Sequence, residues 1–284
     1  MPHKTLIDTQ TLADHLDEPE WIIFDCRFSL TDPEAGRKAY AEGHIPGARY
    51  AHLNDDLSSP VTPASGRHPL PSPKTLAEKL GRWGVDRKKQ VIAYDENGGA
   101  FAARLWWLLR WLGHEAVAVL DGDLRKWRRE NRPISDREPP PKPASFQPTI
   151  SSQSWVDSAE MEQIVAHGTH TILDARAKER FSGAVEPLDK RAGHIPGARN
   201  APFQDNLDAD GRFLTADTLR ARFERYLSDM PPTQIVHMCG SGVTACHNLL
   251  AMEHAGLAGA RLYPGSWSEW IADSAHLVAQ GENP

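Results

Sequence analysis

The chain has 284 residues, 40% of them hydrophobic and 25% charged, and 32 basic against 38 acidic side chains give a formal net charge of −6. These values suit an ordinary globular protein of one or two domains and argue against a nucleic-acid binder, which needs a basic surface to neutralise phosphate. The N-terminus lacks a signal-peptide run, the greasiest segment (residues 105–112) is too short to span a bilayer, and three cysteines make no disulfide framework, so a cytoplasmic location without a membrane partner is expected.

The first apolar run, WIIFDCR (residues 21–27), reads as a strand ending in an acid and an arginine. GHIPGAR follows at residues 43–49 as a turn, then GRHPLP with His68. VIAYDENGGAFAARLWWLLRWLGH (residues 91–114) reads as strand, turn and helix, with Trp106, Trp107 and Trp111 at core spacing. LDGDLRKW (residues 120–127) opens a further helix, whose Arg125–Lys126–Trp127–Arg128–Arg129 run is expected to be a solvated end. Residues 136–154 carry prolines at 139, 140, 141, 143 and 148 and read as an extended linker.

Beyond the linker the same order returns: TILDAR (171–176), GHIPGAR (193–199), QIVHMCGSGVTACHNLLAMEHAGL (234–257) and YPGSWSEW (263–270). The chain is written twice. Short apolar strands alternating with amphipathic helices predict α/β domains, each a parallel sheet flanked by helices. The expected boundaries are 1–135 for the first domain, 136–154 for the linker and 155–284 for the second domain.

Cys239 falls at the carboxyl end of a predicted strand, on the turn into a helix, where open α/β sheets bind ligands. Gly240 and Gly242 free the backbone so that successive N–H groups can converge, and the helix N-terminus adds partial positive charge. The placement favours a sulfur anion, whether a thiolate or a terminal sulfur carried on the cysteine. Three other readings compete with a nucleophile. Cys239 could be an inert buried cysteine. It could join a metal site with His237, Cys246 and His247, although no CxxC pair exists. It could pair with Cys246, about two helical turns away. Cysteine-phosphatase chemistry would need an arginine six residues after Cys239, where Ala245 stands.

The loop CGSGVT (Cys239, Gly240, Ser241, Gly242, Val243, Thr244) and the duplicated GHIPGA make the chain resemble the two-domain rhodanese-like sulfurtransferases over essentially its full length. The loop is similar to that of the 3-mercaptopyruvate sulfurtransferases in particular. The resemblance implies two tandem rhodanese-like domains, a silent first and a catalytic second, and Asp95 stands where the first repeat would need its cysteine. It implies that Cys239 takes sulfur from a small-molecule donor, becomes a persulfide and passes the sulfur to a thiol or cyanide, with a thioredoxin-like protein among the candidate acceptors and no cofactor. Two alternatives remain: a thiosulfate:cyanide sulfurtransferase, and a non-catalytic persulfide-carrying or interaction module.

Neutral Gly240 and Ser241, where thiosulfate-preferring relatives place two basic residues, favour 3-mercaptopyruvate over thiosulfate. By the same resemblance Arg180 binds the donor, Ser241 supplies a hydroxyl, and His68 reaches the site from the first domain. Asn54 stands where some relatives keep a carboxylate near that histidine, with Asp55 adjacent. The second family arginine should follow an EP pair, but Glu186–Pro187 is followed by Leu188, leaving Lys190 or Arg191 for that part. Asp25 with Arg27 and Asp174 with Arg176 are expected to be strand-end ion pairs. Cys26 should be buried, and Cys246 should pack in a helix unless it acts as a redox partner.

Overall fold

Runs such as VIA and IVHM are apolar without alternation, the signature of strands covered on both faces. In the computed structural model, which describes residues 1–140, 142–227 and 230–283, such runs form the centres of two parallel sheets. The linker proline at 141 and the chain's last residue, 284, lie outside the described residues. One compact unit comprises Met1–Ser59, Leu70–Ser151 and Ala209–Phe213; the other comprises Pro60–Pro69, Ser152–Asp208 and Leu214–Pro284. The segment carrying His68 thus belongs to the second unit.

The first unit contains β1 (Leu6–Ile7), α1 (Thr9–Asp14), β2 (Trp21–Asp25), α2 (Ala35–Glu42), β3 (Ala48–Tyr50), α3 (Pro73–Arg82), β4 (Gln90–Tyr94), α4 (Ala102–Trp111), β5 (Val117–Leu120) and α5 (Asp123–Arg129). Its sheet order is β1-β5-β4-β2-β3, all parallel. Trp106, Trp107 and Trp111 are buried on α4 as expected, and Phe146 of the proline-rich segment is buried as well. In the expected solvated run, Arg125, Arg128 and Arg129 are exposed and Trp127 is buried.

The second unit contains α6 (Ser158–His167), β6 (Thr171–Asp174), α7 (Lys178–Ser182), β7 (Ala198–Asn200), α8 (Ala216–Leu227), β8 (Ile235–Met238), α9 (Ala245–His254), β9 (Arg261–Leu262) and α10 (Ser266–Trp270). Its sheet order is β7-β6-β8-β9, again parallel. Every residue of β8 is buried, and Cys239 is the next residue in the chain.

The repeated motifs brace each other. Asp174 holds Arg176 at 2.6 Å, and the same guanidinium donates to the Gly193 carbonyl at 2.7 Å, just before His194. In the first unit Asp25 holds Arg27 at 2.7 Å, and Arg27 donates to the Gly43 carbonyl at 2.8 Å. Each GHIPGAR histidine stacks on an aromatic ring, His44 on Tyr40 at 4.0 Å and His194 on Phe181 of α7, 13 residues earlier in the chain, at 3.8 Å. Gly47 and Gly197 take the positive φ that ends the turn. The acid–arginine pair and the distant GHIPGAR are therefore one bonded unit, with its charges buried but paired.

Candidate active site

β8 delivers Cys239 to the turn, and the YPGSWSEW motif holds it there. The Cys239 N–H donates to Ser266 Oγ at 3.0 Å, and the Cys239 carbonyl accepts the Trp267 N–H at 3.0 Å. Ser266 adopts φ +54° while fully buried, a left-handed conformation that its two bonds, to Cys239 and to the Tyr263 carbonyl, help to hold. Gly242 has φ +76°, and a Cβ there would lie 2.3 Å from the Pro264 carbonyl oxygen, so this turn requires glycine. The sulfur-bearing residue itself is buried.

The first unit shows what such a loop binds. Asp95 occupies the equivalent position, and its carboxylate accepts N–H bonds from Asn97 and Gly99 on one oxygen and from Phe101 and Ala102 on the other, all at 2.8–2.9 Å. Burial pushes this carboxyl above the usual carboxylate range, and the four amides pull the other way. The Leu124 N–H donates to the Asp95 carbonyl at 3.0 Å, matching the bond from Trp267 to Cys239. Asp123, like Ser266, has positive φ (56°) and ties down its loop by accepting the Gly98 N–H. By offset along the chain, the amides of Ser241, Val243, Ala245 and Cys246 stand in the places of those four, although the Cys246 N–H donates to the Val243 carbonyl at 3.0 Å. In the first unit the loop is thus an anion cradle filled by its own side chain.

Around Cys239 the charges alternate along a row. Asp174 pairs with Arg176; Glu186 lies 3.4 Å from Arg176 and 2.8 Å from Arg180; Asp189 lies 3.1 Å from Arg180 and also pairs with Arg67. The side chains of Glu186 and Asp189 are only 3% and 5% exposed, so each depends on its cations. Backbone amides of Leu188 and Asp189 also donate to Glu186, at 3.0 and 3.1 Å. Arg176 stacks over Trp267 with its guanidinium carbon 4.8 Å from the ring centre.

His68 and Ser241, paired by the resemblance, are brought together: Nδ1 of His68 lies 2.7 Å from Ser241 Oγ, both residues buried. Arg180 also comes to the loop, its terminal nitrogens 3.5 Å from where a Gly240 Cβ would stand. Arg191 runs elsewhere. Its guanidinium donates to the His276 carbonyl at 3.2 Å, and its own carbonyl accepts Trp267 Nε1. Lys190 and Leu188 are exposed. Asp55 binds Arg37 at 3.1 Å and lies 3.2 Å from His52.

One residue of this set was missed in the sequence. Arg67, immediately before His68, has Nη2 only 2.8 Å from the Cβ position of Gly240. Burial pushes its guanidinium below the usual arginine value, opposed by attraction to the Cys239 sulfur and reinforced by repulsion from Arg180. Its only signal in the chain was adjacency to His68.

The competing metal reading distributes differently. His237 Nε2 faces Met252 Sδ at 3.0 Å, and His247 Nδ1 lies 3.1 Å from Asn206 Nδ2. The Cys246 thiol donates to the Gly242 carbonyl at 3.3 Å. Among the described residues no group of three or more His, Cys, Asp or Glu side chains is placed to hold a metal, and no disulfide joins the buried Cys26, Cys239 and Cys246.

Comparison with known proteins agrees with this geometry. The rhodanese-like domain family matches residues 8–130 and again 157–273. The probable 3-mercaptopyruvate sulfurtransferase of Pseudomonas aeruginosa is 48% identical over 284 residues, covering 99% of this chain and 100% of its own. The thiosulfate sulfurtransferase of Mus musculus is 30% identical, covering 99% and 97%. The solved structure of the 3-mercaptopyruvate sulfurtransferase from Leishmania major is 34% identical with a TM-score of 0.83, covering 95% of this chain and 75% of that one. Two matched repeats, two parallel sheets and full-length similarity place this chain in the rhodanese-like domain family, as a tandem pair.

Proposed function

We propose that the chain is a sulfurtransferase of the 3-mercaptopyruvate type, using Cys239 as the sulfur carrier. The observation that carries this reading is a buried cysteine in an anion cradle whose own side chains are neutral, while the guanidinium groups stand beside it. The relatives named as 3-mercaptopyruvate sulfurtransferases support the same donor.

The Cys239 thiolate attacks the donor's sulfur while Arg180 holds the donor's carboxylate with bidentate geometry. The new S–S bond forms as the carbon–sulfur bond breaks, and its electron pair remains on carbon as the pyruvate enolate. The Ser241 hydroxyl gives that carbon a proton and is resupplied through His68, its partner at 2.7 Å. The cradle amides stabilise the sulfur anion on Cys239. An acceptor thiolate or cyanide then attacks the outer sulfur, and cleavage of the S–S bond returns the Cys239 thiolate. A cytoplasmic thiol acceptor, such as a thioredoxin-like protein, fits this chemistry. No helix among the described residues is long and apolar enough to cross a membrane.

The second reading is a thiosulfate donor, favoured by the mouse relative and by two guanidinium groups near the loop. Turnover with 3-mercaptopyruvate and thiosulfate, side by side on one preparation, decides between them. The expected result is faster turnover with 3-mercaptopyruvate, one pyruvate released per sulfur transferred. Preference for thiosulfate would overturn the donor assignment. Full persulfide occupancy without turnover toward any acceptor would indicate a carrier module instead.

A further inference from the structure

The start of α10 is bonded on two sides. On one it holds the cysteine loop: the Trp267 N–H donates to the Cys239 carbonyl and the Ser268 N–H to the Gly240 carbonyl, each at 3.0 Å. On the other it holds the segment that carries His68: Ser268 Oγ accepts the Arg67 N–H at 3.0 Å, and Glu269 accepts the Gly66 N–H at 3.3 Å. Ser268 therefore touches both strips of backbone. Its N–H goes to the residue after Cys239, and its hydroxyl to the residue before His68.

The approach is close because two glycines meet. A Cβ on Gly66 would lie 2.6 Å from the Gly265 carbonyl oxygen and 2.9 Å from Ser268 Oγ. The Glu269 side chain folds back over Gly265, where a Cβ would lie 2.3 Å from its Cδ. Glu269 is fixed there by the Ser158 hydroxyl on one oxygen and by the Gly66 N–H on the other. The Ser268 hydroxyl donates to the Gly265 carbonyl at 3.4 Å, which leaves its lone pairs for Arg67. Residues 60–64, which lead into the segment, are exposed, so burial does little to set its approach.

We propose that Ser268 is a positioning residue for proton transfer, fixing the Arg67–His68 backbone so that His68 Nδ1 stands 2.7 Å from Ser241 Oγ. This rests on the reading of Ser241 and His68 as the proton relay to the pyruvate enolate. Ser268 acts through the Arg67 main chain, not on the donor. Ser241 rides on the loop that Ser268 holds through Gly240, so one residue sets both members of the pair. Small misplacements of a proton-transfer group are costly in rate. An enolate left unprotonated takes the outer sulfur back: its electron pair re-forms the carbon–sulfur bond, the S–S bond breaks, and Cys239 leaves as thiolate. A displaced His68 thus slows pyruvate formation without weakening donor binding.

The test measures pyruvate release in a single turnover over a range of 3-mercaptopyruvate concentrations. Ser268→Ala keeps the N–H to Gly240 and loses only the hydroxyl. Its maximal rate should fall roughly 3–30-fold, with the half-saturating concentration changed by less than about threefold. Ser268→Thr keeps the acceptor and should stay within about threefold of the parent. Gly66→Ala forces the segment off α10 by contact with the Gly265 carbonyl and should slow release at least as much as Ser268→Ala. In a Ser241→Ala chain the relay is already broken, so adding Ser268→Ala should change the rate by less than about twofold. A second readout needs no donor. Amide hydrogen exchange at residues 66–68 should quicken roughly 5–30-fold in Ser268→Ala, with residues 239–245 as in the parent.

An unchanged maximal rate in Ser268→Ala overturns the proposal, and so does unchanged exchange at residues 66–68. An equal fall in the Ser241→Ala background also overturns it, since Ser268 would then act through the cysteine loop. If the parent chain releases no pyruvate from 3-mercaptopyruvate, the donor reading falls and the relay with it. Exchange at residues 66–68 then still reports whether Ser268 holds the His68 segment.

Discussion

His237, two residues before Cys239, should make the second unit sensitive to acid. It is fully buried on β8, with Nε2 facing Met252 Sδ at 3.0 Å and its ring edge-on to Phe223 at 6.1 Å. Burial, with help from Arg222, pushes its pKa down to about 3. The folded histidine thus stays neutral where an unfolded one, titrating near 6.5, would take a proton. Its contribution to stability is fully present above pH ~6.5 and is lost progressively as pH falls toward about 3. Between pH 7.5 and 5.0 the unfolded chain's extra proton uptake should cost about 2 kcal/mol from this residue alone. Among the described residues Nδ1 has no partner, so His237→Leu should be neutral or stabilising even at pH 7.5. At pH 5.0 the variant should exceed the parent by a further ~2 kcal/mol, roughly 4–8 °C in Tm for a unit of this size. Thermal or urea unfolding at both pH values provides the measurement. Other groups whose values fall on burial, such as His114, are common to both proteins and cancel in the difference. Equal pH slopes for parent and variant would refute the reasoning.

Three further outcomes follow from the site. Incubation with donor should add one sulfur (~32 Da) to the intact chain, reversibly by thiol; persistence of that mass and of turnover in Cys239→Ser would place the carrier elsewhere. Arg180→Ala should lower kcat/KM for 3-mercaptopyruvate roughly 10–150-fold, while Glu186 keeps Arg176 and two backbone amides, so the fold should survive. An equal loss of reactivity toward neutral iodoacetamide would show damage to the loop rather than to donor binding. Asp95→Asn should destabilise the first unit by about 2–5 kcal/mol, because the amide turns a donor toward two N–H groups that had a charged acceptor; a change in unfolding free energy under ~1 kcal/mol would show that the cradle does not depend on the anion.

The duplication, the parallel sheets and the place of Cys239 were legible in the sequence because each is a local pattern. Apolar runs mark buried strands, and glycines mark a turn that a side chain would block, as Gly242 shows against Pro264. The row from Asp174 to Arg67 was not legible. Its members come from β6, α7, the stretch 186–189 and the segment 60–69, and nothing in the spacing of charged residues tells which of them meet. Arg191 shows the same limit from the other side: a cation in a plausible position along the chain spends its donors on the His276 carbonyl. Arg67 escaped notice because an arginine in a loop is ordinarily solvated, and only its approach to Gly240 distinguishes it.

The two loops differ in one residue's chemistry more than in their construction. Each follows a central buried strand, each is pinned through its first carbonyl by an amide from the glycine-led helix, and each has a positive-φ polar residue closing it, Asp123 or Ser266. An aspartate carboxylate and a cysteine sulfur anion both present negative charge to converging amides, so a loop built for one accommodates the other. What the first unit lacks is a transferable atom: a carboxylate satisfies the amides permanently, whereas a sulfur on Cys239 can leave with its acceptor. A carboxylate in the cysteine's place therefore needs no loss of the anion site, and the four bonds to Asp95 give the first unit a structural reason to keep it. Around Cys239 the loop's own side chains are neutral, so counter-charge to a sulfur anion there has to come from groups outside the loop. Arg180 and Arg67 stand beside the loop, paired with Glu186 and Asp189.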